Sequence, residues 1–511
     1  MRAPYRPRPL MPLAAALVLV AASGIVMDAG FPDKGWWPLA LVGVAGYLLA
    51  LRGRSVGGAL LLGFVGSMYF YLSHISWAEQ FLGNIVPMLA LCLAETLFFS
   101  AGSALITLAY RWVPRVFPTT IGVSALLPVI VAGLWTAREA VASVFPYGGF
   151  AWGRVALSQT ESPVAQLFPW LGVAGVTFAL VLFVAVVVEA VMAPAIRPLL
   201  RVTIPVALAT ALVAIPAFPI ALDDTIRVGA VQGNGKAAYL DQREYGDLLR
   251  AQLNATRAID PDEDLDVLLW PEGSTDVDPL REQSAARVFD ALTEAYDAPL
   301  VAGSITTDGD DIWNSSLLWL PGEGLADKYD KRHPVPFGEY IPDRAFWRPF
   351  APELIDLVQR EYTIGTTDAV FDLGDVIVGV NICYDIVDDG LLRESVLDGA
   401  QVIFAQSNNA DFGHTDESVQ QLAIARARAL ELGRSIVNIS TVGTSAILLP
   451  DGSTLTQLEW YQPGVMVEDV PTSTTMTPAA LAGLQIEWLA GLFGLLGLVI
   501  AGLGARMAGR G

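Results

Sequence analysis

Residues 378–390 read VGVNICYDIVDDG. The β-forming run from Val378 to Ile382 predicts a buried strand, and the chain turns polar straight after Cys383, at Asp385, Asp388 and Asp389. A strand that delivers one cysteine to its end has two readings. The thiol is a small core residue, or it is a nucleophile presented where α/β folds place their functional groups. The other cysteine, Cys92, sits in an apolar segment, so the pair makes no disulfide framework.

The strand-like run that holds it is DVIVGVNICYD (375–385), and similar runs surround it: IRVGAVQG (226–233), DVLLWPE (266–272), PLVAGSIT (299–306), SSLLWLP (315–321), QVIFAQSN (401–408), SIVNISTVG (435–443) and SAILLPDG (445–452). Helical patterns lie between several of them, at roughly 239–258, 279–296 and 417–433. Strands alternating with helices, with hairpin-like pairs where the alternation breaks, predict an α/β domain with a largely buried sheet.

That domain is half the protein. The chain has 511 residues, 53% of them hydrophobic and only 16% charged, with mean hydropathy +0.48 and net charge -21. The charge is segregated. Residues 223–483 hold 44 Asp and Glu against 17 Lys and Arg, which leaves 8 acidic and 14 basic residues elsewhere. An acidic domain argues against nucleic acid as a partner, because a phosphate backbone recruits Lys and Arg. His74, His333 and His414 lie far apart, and no Cys/His cluster has zinc spacing, so neither a metal nor a cofactor is expected.

The remainder predicts a membrane domain. Seven apolar stretches, at roughly 10–27, 37–51, 56–73, 84–110, 119–136, 167–193 and 202–221, precede the acidic domain, and an eighth follows at 485–505. Arg2, Arg6 and Arg8 open the chain, and Arg52 and Arg54, Arg111 and Arg115, Arg197 and Arg201, then Arg506 and Arg510 recur on the same side of the alternation. By the positive-inside bias both ends are cytoplasmic and the acidic domain faces outward. The expected domains are 1–222 with seven spans, 223–483 as the soluble domain, and 484–511 as the eighth span and tail. A cleaved signal peptide is the alternative reading of residues 1–24. The aromatic loop within 137–165 is expected at the membrane interface or at a lipid entrance.

Three strand ends carry chemistry-bearing residues: Glu272 in WPEGS, Lys331 in KYDKRHPVPFGEYIP with Glu339 eight residues on, and Cys383 in NICYD. A carboxylate can take a thiol proton, and an ammonium can stabilise thiolate and oxyanion, with the Tyr384 N–H as a second donor. A pairing of Cys383 with His333 or His414 is the competing arrangement. No G-x-S-x-G elbow is present.

WPE, YDKRH and NICYD, in that order, resemble the Glu–Lys–Cys motifs of the nitrilase superfamily. VQGN (231–234), HPVPFGEYIP (333–342), AQSNNADFG (405–413), ARARALELGR (425–434) and WTAREAVASVFPYGGFAWG (135–153) resemble the apolipoprotein N-acyltransferase family more narrowly. The resemblance covers nearly the whole chain. It implies a multi-pass α-helical membrane domain of about eight helices joined to an α-β-β-α sandwich. It implies a bacterial inner-membrane enzyme that moves an acyl chain from a phospholipid to the N-terminal amine of a diacylated lipoprotein. Cys383 would then be the nucleophile, Glu272 the general base and Lys331 the stabiliser of the tetrahedral intermediate. Glu339 would orient Lys331 or the substrate, with Tyr384 and Asp385 in support. A membrane-tethered amidase and a non-catalytic scaffold are the alternatives. The sequence departs from the family at Asp385, where a glutamate is usual, at Asp411, where a tryptophan is usual, and at ISTVGTSA (439–446).

Overall fold

The structure, a computed structural model, describes residues 8–192, 198–239 and 241–508. Arg2, Arg6, Arg197 and Arg510, used above to orient the chain, lie outside them. Two compact units emerge, Met1–Phe218 with Leu481–Gly511, and Pro219–Ala480.

Each of the eight apolar stretches carries a helix in the first unit or at its border. Five are long and apolar enough to cross a membrane: Val56–His74, Ile85–Val116, Gly122–Ala142, Ala165–Met192 and Pro478–Ala508. Leu13–Asp28, Pro38–Leu51 and Leu199–Val213 are apolar but shorter. Glycines set the closest crossings, as expected where lipid offers no hydrophobic drive to helix pairing. A Cβ on Gly133 would lie 2.7 Å from the Gly494 nitrogen. Two buried pairs lie inside this unit, Arg52 on Glu189 at 2.5 Å and His74 on Asp28 at 3.0 Å. Trp152, from the aromatic loop, is buried against Trp77 with ring centroids 5.2 Å apart.

The second unit contains two six-stranded sheets. In chain order the strands are β1 (Thr225–Gln232), β2 (Val267–Leu269), β3 (Leu300–Asp308), β4 (Asp311–Leu320), β5 (Gly324–Asp330), β6 (Val370–Asp372), β7 (Ile377–Ile382), β8 (Val402–Ser407), β9 (Ser435–Ser440), β10 (Ala446–Leu448), β11 (Thr454–Gln457) and β12 (Gly464–Pro471). One sheet runs β12-β1-β2-β3-β4-β5 and the other β11-β10-β9-β8-β7-β6. The centre of each is parallel and the flanks are antiparallel.

The period of two along each strand explains the layers. Val228, Ala230, Val267, Leu269 and Val301 share one buried cluster with Val378, Val380, Ile382, Val402, Phe404, Val437 and Ile439, which is the seam between the sheets. The alternate residues Val231, Leu268, Trp270, Leu300 and Ala302 pack outward with Leu249 and Phe289 of helices Asp247–Thr256 and Gln283–Tyr296. The other sheet's strands β7 and β9 meet helices Asp389–Leu397 and Glu417–Leu432. The unit is therefore an α-β-β-α sandwich.

Candidate active site

Glu272, Lys331 and Cys383 follow β2, β5 and β7 respectively, so each stands just past the carboxyl end of a strand. Lys331 is 1% exposed. Its Nζ lies 2.7 Å from Glu339 Oε2, 2.9 Å from Glu339 Oε1 and 3.5 Å from Glu272 Oε1. Burial alone would lower this ammonium's pKa, but the carboxylates of Glu339 and Glu272 outweigh it and hold the group well above its usual range. Lys331 therefore stays charged at any working pH.

Glu272 is pushed up by burial, with the Lys331 charge opposing. Its Oε2 is buried without a hydrogen-bond partner, while Oε1 accepts from Asn314 Nδ2 at 2.6 Å. The Asn314 amide also donates to Glu339 Oε1 at 3.2 Å, so one side chain from β4 spaces the two carboxylates that share Lys331. Glu339 is fixed from its own loop, where Oε2 accepts from the Val335 N–H at 2.6 Å. The Glu272 backbone rests against Gly303 of β3, where a Cβ would come within 2.7 Å of the Glu272 Cα, so only glycine allows this approach.

Cys383 is part-exposed and adopts φ +48°, a left-handed conformation uncommon for a non-glycine residue. The strain has a local cause. Asp385 is 0% exposed and folds back on the strand end. Its Oδ2 accepts from the Ile382 N–H at 3.1 Å and the Tyr329 hydroxyl at 2.8 Å, and its Oδ1 accepts from the His333 N–H at 2.9 Å. This stops the strand at Ile382 and turns the chain into the 3-10 turn Cys383–Val387, where a continued strand to 385 is expected from sequence. Arg428 then grips the turn from behind, donating to the carbonyls of Ile386 at 3.0 Å and Val387 at 2.8 Å.

The shorter aspartate thus reaches three donors and ties the cysteine turn to the loop after Lys331. Asp385→Asn would place an amide NH2 against at least one of these donors. We expect it to destabilise the protein by about 2 kcal/mol, read as a lower unfolding midpoint, with slower alkylation of Cys383 as the turn loosens.

The histidine pairing for Cys383 is not seen. The His333 ring faces Asp385 Oδ1 at 3.5 Å and Asp388 Oδ2 at 3.6 Å, and His414 packs on Tyr461 with ring centroids 4.2 Å apart. The neighbour on Sγ is the Gln421 amide, whose Nε2 lies 3.6 Å away. The thiol is raised well above its usual pKa by burial, and further by the Glu272 charge, against the opposing pull of Lys331. The resting state is accordingly a neutral thiol among a carboxylate and an ammonium. Tyr384 is half-buried at the start of the same turn.

The comparisons with known proteins bear on both units. The model of the apolipoprotein N-acyltransferase N-terminal domain matches residues 23–186, and that of carbon-nitrogen hydrolase matches residues 227–477. A protein of Mycolicibacterium smegmatis named apolipoprotein N-acyltransferase is 32% identical, over 96% of this chain and 85% of its own length. The chain belongs to the apolipoprotein N-acyltransferase family. Relatives of the same name from Vibrio cholerae and Pseudomonas aeruginosa are each 27% identical, over 93% and 92% of this chain. A solved amidase from Nesterenkonia sp. has a TM-score of 0.38 at 17% identity and covers 53% of this chain and 100% of its own, a likeness too loose to add to the family match.

The family's usual motifs are altered here without emptying their places. Asp411 accepts from the Tyr239 N–H at 2.6 Å, and burial pushes it up to about 6. In the turn after β9, Thr441 donates to the Glu272 carbonyl at 3.2 Å and Ser445 to Gln232 Oε1 at 2.6 Å. Among the described residues no group of three or more His, Cys, Asp or Glu could hold a metal ion.

Asn314, Gln421 and Glu417 escape a reading by motif. Glu417 opens helix Glu417–Leu432 and is almost wholly buried. Burial drives its pKa up to about 8, with hydrogen bonds from Asn409 and Ser418 opposing and the Glu272 and Asp411 charges adding. An unfolded glutamate titrates near 4.3. Its folded value is raised, so its contribution to stability is present in full below about pH 4 and is lost as pH rises through about 8. Glu417→Gln is therefore expected to melt higher than the native protein at pH 9, by roughly 5 kcal/mol of stability, and to show no gain at pH 4.

Proposed function

We propose that this chain transfers a fatty acyl chain from a membrane phospholipid to the N-terminal amine of a diacylated lipoprotein, through a thioester on Cys383. The observation that carries the reading is Lys331 buried between Glu272 and Glu339, in the field of a part-exposed thiol, in a chain of this family.

In the first half-reaction Sγ attacks the ester carbonyl of the donor lipid and its proton passes to Glu272. The Lys331 ammonium offsets the charge on the tetrahedral oxygen, with the Tyr384 N–H as a second donor. The ester C–O bond breaks, the departing alcohol oxygen takes the proton from Glu272, and a lysophospholipid leaves. In the second half-reaction the acceptor amine attacks the thioester, Glu272 takes its proton, the C–S bond breaks and the proton returns to sulfur. Glu339 and Asn314 hold Lys331 and Glu272 apart and in register through both.

The membrane unit supports the same reading, since a soluble amide substrate would not need it. On this proposal eight helices cross the bacterial inner membrane, residues 1–222 and 484–511 form the membrane part, and residues 223–483 face outward with both termini cytoplasmic. The positive loops at Arg52 and Arg54 and at Arg111 and Arg115 support that side. Phe346 and Phe350, exposed by 58% and 73%, are suited to contact lipid.

The test supplies purified enzyme with phospholipid and a diacylated lipopeptide and follows products by mass. A triacylated peptide is expected. Free fatty acid with an unchanged peptide would make the protein a hydrolase and end the transferase reading.

A further inference from the structure

Behind the thiol lies a buried polar chain that the two half-reactions do not use. Gln421 Nε2 faces Cys383 Sγ at 3.6 Å, and Gln421 Oε1 accepts from Asn409 Nδ2 at 2.8 Å. The same Asn409 Nδ2 donates to Glu417 Oε2 at 2.8 Å. Asn409 Oδ1 accepts from the hydroxyls of Ser440 at 2.6 Å and Ser407 at 3.1 Å. Gln421, Asn409, Glu417, Ser407 and Ser440 are all at most 3% exposed.

This arrangement has a direction. The Ser440 and Ser407 hydroxyls lie on the oxygen end of the Asn409 amide, and its NH2 faces Glu417 and Gln421. That in turn fixes the oxygen end of Gln421, which leaves its NH2 aimed at sulfur. A buried amide held by so many partners is costly to assemble unless each group is satisfied. Here every link is made, and the one that ends the chain ends on the reacting atom.

We propose that Gln421 is a catalytic residue whose side-chain N–H donates to Cys383 Sγ and stabilises the thiolate, with Asn409 and Glu417 as the positioning residues that hold it in that orientation. The proposal rests on Cys383 being the nucleophile. A thiol with an amide donor on its sulfur gives up its proton to Glu272 at less cost, and the same donor steadies sulfur when it departs from the thioester. Glu417 anchors the amide chain while neutral, so it adds no second negative charge beside the thiolate until pH rises past about 8. The charged groups that bear on the thiol are Glu272 after β2, Lys331 and Glu339 after β5, and Glu417 on its helix.

The test is the pH profile of Cys383 alkylation by iodoacetamide, measured on the full-length enzyme by peptide mass between pH 6 and 10, with the midpoint fixed from the rising limb because the thiol titrates high. Gln421→Met keeps length and volume and removes the donor. Its midpoint is expected to rise by about one pH unit, with acyl-enzyme formation at pH 7 slowed about 10-fold. Gln421→Glu puts a carboxylate against sulfur and should move the midpoint further. Asn409→Leu should move it in the same direction, and the double variant with Gln421→Met should move it no further, because both act through one hydrogen bond.

A Gln421→Met profile coincident with the native one, in a protein with native near-UV circular dichroism, overturns the proposal. So do fully additive shifts in the double variant. Where Gln421→Met does not fold, an unmoved midpoint in Gln421→Glu has the same force. The parent reading fails separately, if Cys383→Ala still forms triacylated peptide.

Discussion

Cys383→Ala is expected to form no acyl adduct when incubated with phospholipid alone, and to lose lipopeptide acylation by at least about 10^4-fold. The native enzyme should gain the mass of one fatty acyl chain on the peptide that contains Cys383. The reasoning separates chemistry from structure. The turn that presents the sulfur is held by Asp385, Tyr329, His333 and Arg428 through hydrogen bonds that do not involve Sγ. Deleting the sulfur should therefore leave the turn in place, and binding of lipid and peptide should survive. The backbone offers a check. At φ +48° any side chain with a Cβ is strained, so Cys383→Gly should relieve about 1 kcal/mol that Cys383→Ala retains. Both variants should be inactive, with glycine the more stable. An acyl adduct on Cys383→Ala, or native turnover in either variant, would end the thioester mechanism.

The sequence shows the class of this fold because the central strands are buried on both faces. Runs such as QVIFAQSN and SIVNISTVG carry apolar residues on both faces, and β8 and β9 are buried at every position. The flanks are harder to read. β5, GLADKYD, is an edge strand exposed at Leu325, Ala326 and Asp327, and β12, GVMVEDV, is another edge that mixes charge with apolar residues. Edge strands need only one covered side, so period and hydrophobicity fade there. The turn at Cys383 is hidden for a different reason. Asp385 ends the strand by accepting the Ile382 N–H, and a single polar residue after an apolar run does not announce that bond.

The site divides along the same line. Glu272, Lys331 and Cys383 stand in motifs at strand ends, where polar residues interrupt apolar runs, and Glu339 lies in the loop that follows Lys331. Asn314 lies inside a strand and Gln421 inside a helix, QQLAIARARALEL, that reads as an ordinary element. Their signal is burial of an amide, and burial of one residue is visible only once its neighbours are placed. The structure gives Asn314 to the carboxylates and Gln421 to the sulfur. Arg428 falls between these cases. ARARALELGR is recognisable, but its grip on the carbonyls after Cys383 is a tertiary fact.

Lys331→Met should damage both the stability and the chemistry of the second unit. The ammonium is surrounded by Glu339 at 2.7 Å and Glu272 at 3.5 Å, and removing it leaves two carboxylates facing each other away from water. Breaking a buried pair in this way costs about 3–5 kcal/mol. Part of that cost can be avoided if the carboxylates take up a proton, since like charges at such range do not both ionise readily. Glu272 is already raised by burial, and without Lys331 it rises further. The sign follows for the variant. A carboxyl with a raised folded pKa destabilises as pH climbs through that value, so the deficit against the native protein should be largest near pH 8 and shrink towards pH 5. The native Lys331, held well above its usual range, contributes no such change over that interval. Catalysis should fall by about 10^3-fold or more, because the base becomes protonated and the tetrahedral oxygen loses its cation together. Lowering the pH should recover stability but not turnover, since protonating Glu272 removes the base while repairing the fold. A variant whose activity recovers at pH 5 along with its melting temperature would show that Lys331 serves only to neutralise Glu272 and Glu339 and takes no part in stabilising the reacting oxygen.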